Sequence, residues 1–198
     1  MNENIRAVLV GCGGISQAWL NAAREIDGLE IVGLVDICEE TARKRAEQFD
    51  LQRVEVGGSF PRVLDRTAPD VVFDCAVPEA HLDITLEALG RRCHVLGEKP
   101  LADSMENARR MVAAARASGK VFAVMQNRRY NAGIRALKTH LETGATGPLT
   151  TINSDFFLAP HFGGFRDKMA HVLLLDMAIH TFDAARFLSG ADPVSVYC

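Results

Sequence analysis

The stretch "VLVGCGGIS", Val8 to Ser16, decides how the rest of the chain is read. An apolar, valine-rich run stops at Gly11, and Gly13 and Gly14 follow before a helical period sets in. That order predicts a strand, a tight turn and a helix. Glycines in such a turn let the backbone approach a pyrophosphate, whose charge is met by unpaired N–H groups and the positive end of the helix dipole. Gly11, Gly13, Gly14 and Ile15 are therefore expected to contact a dinucleotide. The third small position of the G-x-G-x-x-G spacing is Ser16 rather than Gly or Ala.

Reading outward, the helix after the turn carries Ile15, Ala18, Trp19, Ala22 and Ile26 as an expected apolar stripe and closes at Gly28. Further apolar runs, "EIVGLV", "DVVFDCAV", "CHVLG" and "KVFAVMQ", alternate with segments of helical period. Nearly continuous hydrophobicity means strands covered on both faces, as in a parallel sheet with crossover helices. In the last helix of the series, Asp103 and Glu106 have capping-box spacing, Met105, Ala108, Val112 and Ala115 form the stripe, and Gly119 is the stop. The predicted fold class is α/β, with a doubly wound Rossmann sheet over residues 1–125.

The second apolar run ends at Asp36, near the offset at which a carboxylate takes the adenosine ribose hydroxyls. A negative charge there repels the extra phosphate of NADP, so NAD is the expected cofactor. Asp36 also suits an N-cap of the "EETARKRAEQF" helix, and Arg43 or Lys44 reaching back would blunt the discrimination.

After residue 125 the texture changes. A helical segment at 134–141 leads to "LTTINSDFFL", which alternates like a strand, then to the glycine-rich "APHFGGF". "LLLDMAIHTFD", residues 173–183, reads as a helix with Asp176 and His180 four apart. Leu174, Met177, Ala178 and Phe182 suggest that this face is buried. "PVSVYC" reads as a strand. Residues 126–198 are thus expected to be the start of a partial α+β domain with an incomplete open sheet, because two strands do not make a stable one.

With 48% hydrophobic and 24% charged residues and a net charge of -3, the chain gives no electrostatic reason to expect nucleic acid or a membrane surface. A small molecule is the expected partner. The five cysteines lack zinc-ribbon spacing, their odd number suits a disulfide framework poorly, and the N-terminus reads as carrying no apolar leader. A reducing cytoplasm is the expected location. His161, His171, Asp176 and His180 have poor spacing for a preformed metal site, and no metal is expected.

The segment "GEKPLAD", residues 97–103, together with "GCGGIS", "VPEAHLD" and "QNRRYN", resembles the Gfo/Idh/MocA family of glucose-fructose oxidoreductase, inositol dehydrogenase and rhizopine catabolism proteins, over the whole chain. The resemblance implies an N-terminal Rossmann domain, a second domain with a large open sheet, and Lys99 beside a nicotinamide. Asp176 and His180 match the family's catalytic pair. Phe165 and Arg166 stand where a Trp-Arg pair is common, although the glycines that usually follow are bulkier here. Val77 and Pro78 would line the nicotinamide ribose. Family members continue well past this length, so the chain is expected to be a fragment or a truncated relative. The expected activity is NAD-dependent oxidation at a CH–OH group of a sugar, inositol or related polyol. A nucleotide-binding regulatory protein without turnover is the alternative, and homo-oligomerisation through an exposed sheet edge is anticipated.

Such chemistry moves a hydride from carbon and a proton from the hydroxyl. His180 suits the base, Lys99 the hydroxyl and its developing charge, Asp176 a neighbouring hydroxyl, and Arg166 substrate binding. Each has a plainer reading: a core histidine, a solvated loop lysine, or an Asp183 that pairs with His180 or Arg186. Glu98 either touches the cofactor or holds its turn. His81 lies near the cofactor or merely begins a helix. Asn127 and Arg129, ending the last strand, either face the site or are solvated.

Overall fold

Strand β1 (Ile5–Val10) pairs on one side with β2 (Leu29–Val35) and on the other with β4 (Val71–Asp74), and this double pairing seeds the sheet. The computed structural model describes residues 4–157 and 163–197. With β3 (Glu55–Gly57), β5 (His94–Gly97) and β6 (Phe122–Val124), the six strands run parallel in the order β3-β2-β1-β4-β5-β6. The chain order reverses between β1 and β4, and a crevice beyond the carboxyl ends of those strands is where α/β sheets bind ligands. Strand β3 is absent from the apolar runs because its three residues, Glu-Val-Gly, hold a single apolar side chain.

Alternation along β1 places Val8 and Val10 in one core layer and Ala7 and Leu9 in the other. The first layer packs Val32, Val72 and Val95 against Val63 and Leu64 of α3 (Phe60–Thr67) and Ile84, Ala88 and Leu89 of α4 (His81–Gly90). Ala114 and Ala115 of α5 (Met105–Ser118) add to it. The second packs Leu34 and Phe73 against Trp19 and Leu20 of α1 (Ser16–Arg24) and Ala42 and Ala46 of α2 (Glu39–Gln48). Two helices differ from their expected faces. Helix α1 buries Ser16, Trp19, Leu20 and Ala23, while Ile15 and Ile26 lie exposed, so the contacting stripe sits one residue round from the expected one. Helix α5 is capped by the Ser104 hydroxyl, which accepts from Asn107 N–H at 3.2 Å, rather than by an Asp103–Glu106 box. Gly119, in the left-handed region, does end α5.

The chain divides into two compact units, Met1–Met125 and Gln126–Cys198. The second begins with a 3₁₀ turn, Asn127–Tyr130, so Asn127 and Arg129 lie beyond β6 rather than at its end. Helix α6 (Ala132–Glu142) follows, its N-terminus capped by Asn131, which accepts from Gly133 N–H. The segment expected as one helix from residue 173 is two. Leu173–Met177 is a π-helical turn, closed by Ala178 N–H to Leu173 carbonyl at 2.7 Å, and α7 (Ile179–Ser189) continues to Gly190. Among the described residues neither 149–157 nor 193–197 forms a strand, in contrast to the expectation. Apolar alternation makes a strand only where a partner supplies the ladder, and neither segment pairs with one there. The stretch 158–162, with His161, and Cys198 lie outside the described residues.

Candidate active site

At the end of β1 the backbone turns at Gly11 (φ +89°), where an added Cβ would lie 2.6 Å from the backbone of Cys75 and Ala76. No side chain fits between the two strand ends. Gly13 and Gly14 face open space, with nothing within 4 Å of a built Cβ. Among the described residues the N–H groups of Gly13, Gly14 and Ile15 donate to no protein acceptor. They stand at the start of α1, where the helix dipole is positive. The result is a cradle of donors suited to a pyrophosphate.

Three side chains brace this loop. Ser16 donates to Gly13 carbonyl at 2.6 Å, filling the third small position with a hydrogen bond. Buried Arg45, on α2, donates to the carbonyls of Cys12 (3.1 Å) and Gly13 (2.9 Å). Asp36 accepts from Cys12 N–H and Cys38 N–H, both at 2.9 Å. Asp36 is not the α2 cap. That position is Cys38, Arg43 pairs with Glu39 and Lys44 with Glu40, so neither basic residue turns back towards Asp36. Burial, with Asp36 nearby, pushes the Cys12 thiol up to about 12, and burial raises Cys75 and Cys93 as well. Exposed Cys38 is shifted down, chiefly by a hydrogen bond from Thr41.

Beyond β4, Val77 is exposed and Pro78 buried. His81 begins α4 as a buried side chain, its Nδ1 2.8 Å from Asp74 Oδ2, while Asp74 Oδ1 accepts from Ala76 N–H at 3.1 Å. His81 and Asp74 therefore help to hold the turn that carries Val77 and Pro78. Beyond β5, Glu98 N–H donates to Asp74 carbonyl at 2.8 Å. Its carboxylate accepts from the Trp19 indole N–H at 2.7 Å and from Lys99 N–H at 3.2 Å. Glu98 thus holds its turn, and Lys99, half-buried, follows with a cis bond to Pro100.

In the second unit, Asp176 is fully buried and receives the Arg166 guanidinium in two-point fashion, Nε to Oδ2 at 2.6 Å and Nη2 to Oδ1 at 3.4 Å. Arg166 stacks on Phe165, 4.5 Å from the ring centroid. Phe165 and Arg166 come from a 3₁₀ turn, Gly164–Lys168. His180, in the first turn of α7, is also buried. Asp183 pairs with Arg129, whose guanidinium it holds charged to higher pH, a partner the sequence did not suggest. Arg186 turns to Asp192. The face carrying Asp176 and His180 is buried as expected, together with Asp183, but Leu174 and Phe182, taken as signs of that burial, are each 56% exposed. Asn127 is exposed.

Sequence reasoning missed Arg45 and the tie between Trp19 and Glu98. Arg45 sits in a charged helix and Trp19 in an apolar stripe, and nothing local marks either for a loop carbonyl or a carboxylate. Among the described residues no three His, Cys, Asp or Glu side chains group as a ligand set for a metal. No helix there is long and apolar enough to cross a membrane.

Comparison with known proteins agrees with this geometry. The family described as "Oxidoreductase family, NAD-binding Rossmann fold" (GFO_IDH_MocA) matches residues 5–126, and the GFO/IDH/MocA C-terminal domain matches 134–198. The chain is 30% identical over 190 residues to a 1,5-anhydro-D-fructose reductase of Ensifer adhaerens, covering 93% of this chain and 56% of that protein. It is 29% identical over 194 residues to an inositol 2-dehydrogenase/D-chiro-inositol 3-dehydrogenase of Lacticaseibacillus casei, covering 97% and 55%. A crystal structure of myo-inositol dehydrogenase from Lactobacillus casei in complex with NAD(H) and myo-inositol superposes with a TM-score of 0.79 at 26% identity, over 94% of this chain and 55% of that one. The chain thus spans about half the length of the relatives it matches.

Proposed function

Because the chain belongs to the GFO/IDH/MocA family of oxidoreductases with an NAD-binding Rossmann fold, we propose that it serves NAD-dependent hydride transfer at a CH–OH group of a sugar, inositol or related polyol. The observation that carries this reading is the donor cradle of Gly13, Gly14 and Ile15, with Asp36 at the end of β2 and Lys99 at the end of β5. These residues fit a dinucleotide: Gly11 permits the turn, three N–H groups are open to a pyrophosphate, and Asp36 offers acceptors to ribose hydroxyls while opposing a 2′-phosphate. NAD, when bound, supplies the hydride acceptor.

The chain's own groups would manage the proton and the alkoxide charge. His180 is the proposed base, since an imidazole ordinarily titrates near neutral pH. Lys99 donates to the substrate oxygen and stabilises negative charge as it develops there. Asp176, held by Arg166, is proposed to bind a neighbouring substrate hydroxyl and to orient His180 and Lys99, with Arg166 as a substrate-binding residue. Val77 and Pro78 would line the ribose next to the nicotinamide, with His81 and Glu98 as supports. Asn127 is proposed at the cofactor's edge. Buried free thiols at Cys12, Cys75 and Cys93 suit a reducing cytoplasm, and a homo-oligomer is the proposed assembly. A screen of polyols with NAD, read as nicotinamide absorbance, tests the class. Lys99→Ala and His180→Ala should each lower turnover by about a hundredfold or more, and retention within a few-fold refutes these roles.

A second reading, a nucleotide-binding protein without turnover, draws on one observation: the donor cradle and Asp36, which nucleotide binding alone would require, all belong to the first unit. Micromolar NAD binding with no reduction by any polyol would select it.

A further inference from the structure

We propose that Trp19 is a positioning residue for Lys99, acting through Glu98. The inference rests on the reading of Lys99 as a catalytic group. An indole N–H can only donate and an ionised carboxylate can only accept, so the 2.7 Å contact from Trp19 Nε1 to Glu98 Oε1 has one possible direction. The other oxygen, Oε2, accepts from Lys99 N–H at 3.2 Å. Glu98 N–H is itself tied to Asp74 carbonyl at 2.8 Å. One carboxylate therefore spans from the middle of α1 to the backbone of the lysine.

The donor end is rigid. Trp19 is 9% exposed, and its ring lies 5.3 Å from that of Phe73 on β4, tilted by 50°. Trp19 also lies about one helical turn after Ile15, whose N–H belongs to the phosphate cradle. The same short helix thus carries the cradle at its start and the anchor of the lysine turn at its centre. A charge-assisted hydrogen bond in a half-buried setting is stronger and more directional than a neutral one, and its loss leaves Glu98 to rotate. Phe would preserve the ring's packing while removing the donor.

The test reads Lys99 directly. Trace acylation of the folded chain, quantified peptide by peptide by mass spectrometry, gives the reactivity of Lys99 relative to exposed Lys44. Trp19→Phe should change that ratio by about threefold or more, as should Glu98→Ala, and the double variant should change it no further than the larger single effect. The chain has one tryptophan, so its single indole ¹H–¹⁵N signal reports the bond, and Glu98→Gln should shift it. In turnover, Trp19→Phe should lower kcat several-fold and leave Kd for NAD within about twofold. An unchanged labelling ratio in Trp19→Phe, or additive effects in the double variant, overturns the proposal. If Lys99→Ala leaves turnover intact while the labelling result holds, it is the catalytic reading of Lys99 that fails.

Discussion

Strand β1 and the segment from Leu173 through α7 are both rich in apolar residues, and they bury opposite things. In β1, Ala7, Val8 and Leu9 are fully buried, one set of alternate side chains in each core layer. In the later segment Leu173, Leu174 and Leu175 are about half exposed, and the buried side chains are Asp176, His180 and Asp183. The difference teaches that hydrophobic pattern locates a core only where the pattern's own repeats provide the covering layers. A parallel βαβ series does so at each step. Where charges are buried, their position is set by partners distant in sequence, here Arg166 for Asp176 and Arg129 for Asp183.

The contrast can be broken first by truncating leucines. Leu9→Ala should cost about 4 kcal/mol, a transfer loss plus a cavity. Leu174→Ala should stay within about 0.5 kcal/mol, as for surface substitutions away from packed sites. Urea unfolding followed by Trp19 fluorescence for the first, and by far-ultraviolet circular dichroism for the second, would measure both. Equal costs would mean that the leucines of the second unit form a core after all. Next, Arg166→Met should destabilise the second unit by about 3 kcal/mol, because it removes the guanidinium paired with a buried carboxylate, and Asp176→Asn added to it should recover part of the loss. Amide hydrogen exchange in α7 reads this locally.

A smaller effect separates the two jobs of Asp36. Asp36→Ala should weaken NAD binding by about tenfold, near 1.4 kcal/mol, and bring NADP binding closer to it, as titration calorimetry with both nucleotides would record. The smallest effect is alkaline. Cys12 ordinarily ionises near 9.0 and is held protonated to about 12 in the fold. The folded chain binds the proton more tightly than the unfolded chain, so stability is level below pH 9.0 and falls as pH rises from there towards about 12. Cys12→Ala should flatten that part of a plot of Tm against pH.

Much of the nucleotide half was legible from residues because its signals are local. Gly11 lies where any Cβ collides with the next strand end, and the apolar runs around it are long enough to declare a two-sided sheet. Strand β3 was too short and polar to register, and Ser104 took the cap expected of its neighbour because one residue's shift in φ and ψ changes which side chain meets the open N–H. Arg45 under the loop and Trp19 against Glu98 were illegible, since both depend on tertiary contacts across tens of residues. In the second unit, the four-residue spacing of Asp176 and His180 was visible, but the π turn that holds Asp176 and the arginine partners of Asp176 and Asp183 were not. Alternation at 149–157 read as a strand, although the ladder that would make it one is not supplied by any described residue.

A crystal structure of the chain with NAD bound tests the central claim most directly. The expected result is a pyrophosphate within hydrogen-bond distance of the Gly13, Gly14 and Ile15 N–H groups, ribose hydroxyls on Asp36, and the nicotinamide beside Lys99. A dinucleotide seated elsewhere, or a nicotinamide remote from Lys99 with the cradle filled, would contradict it.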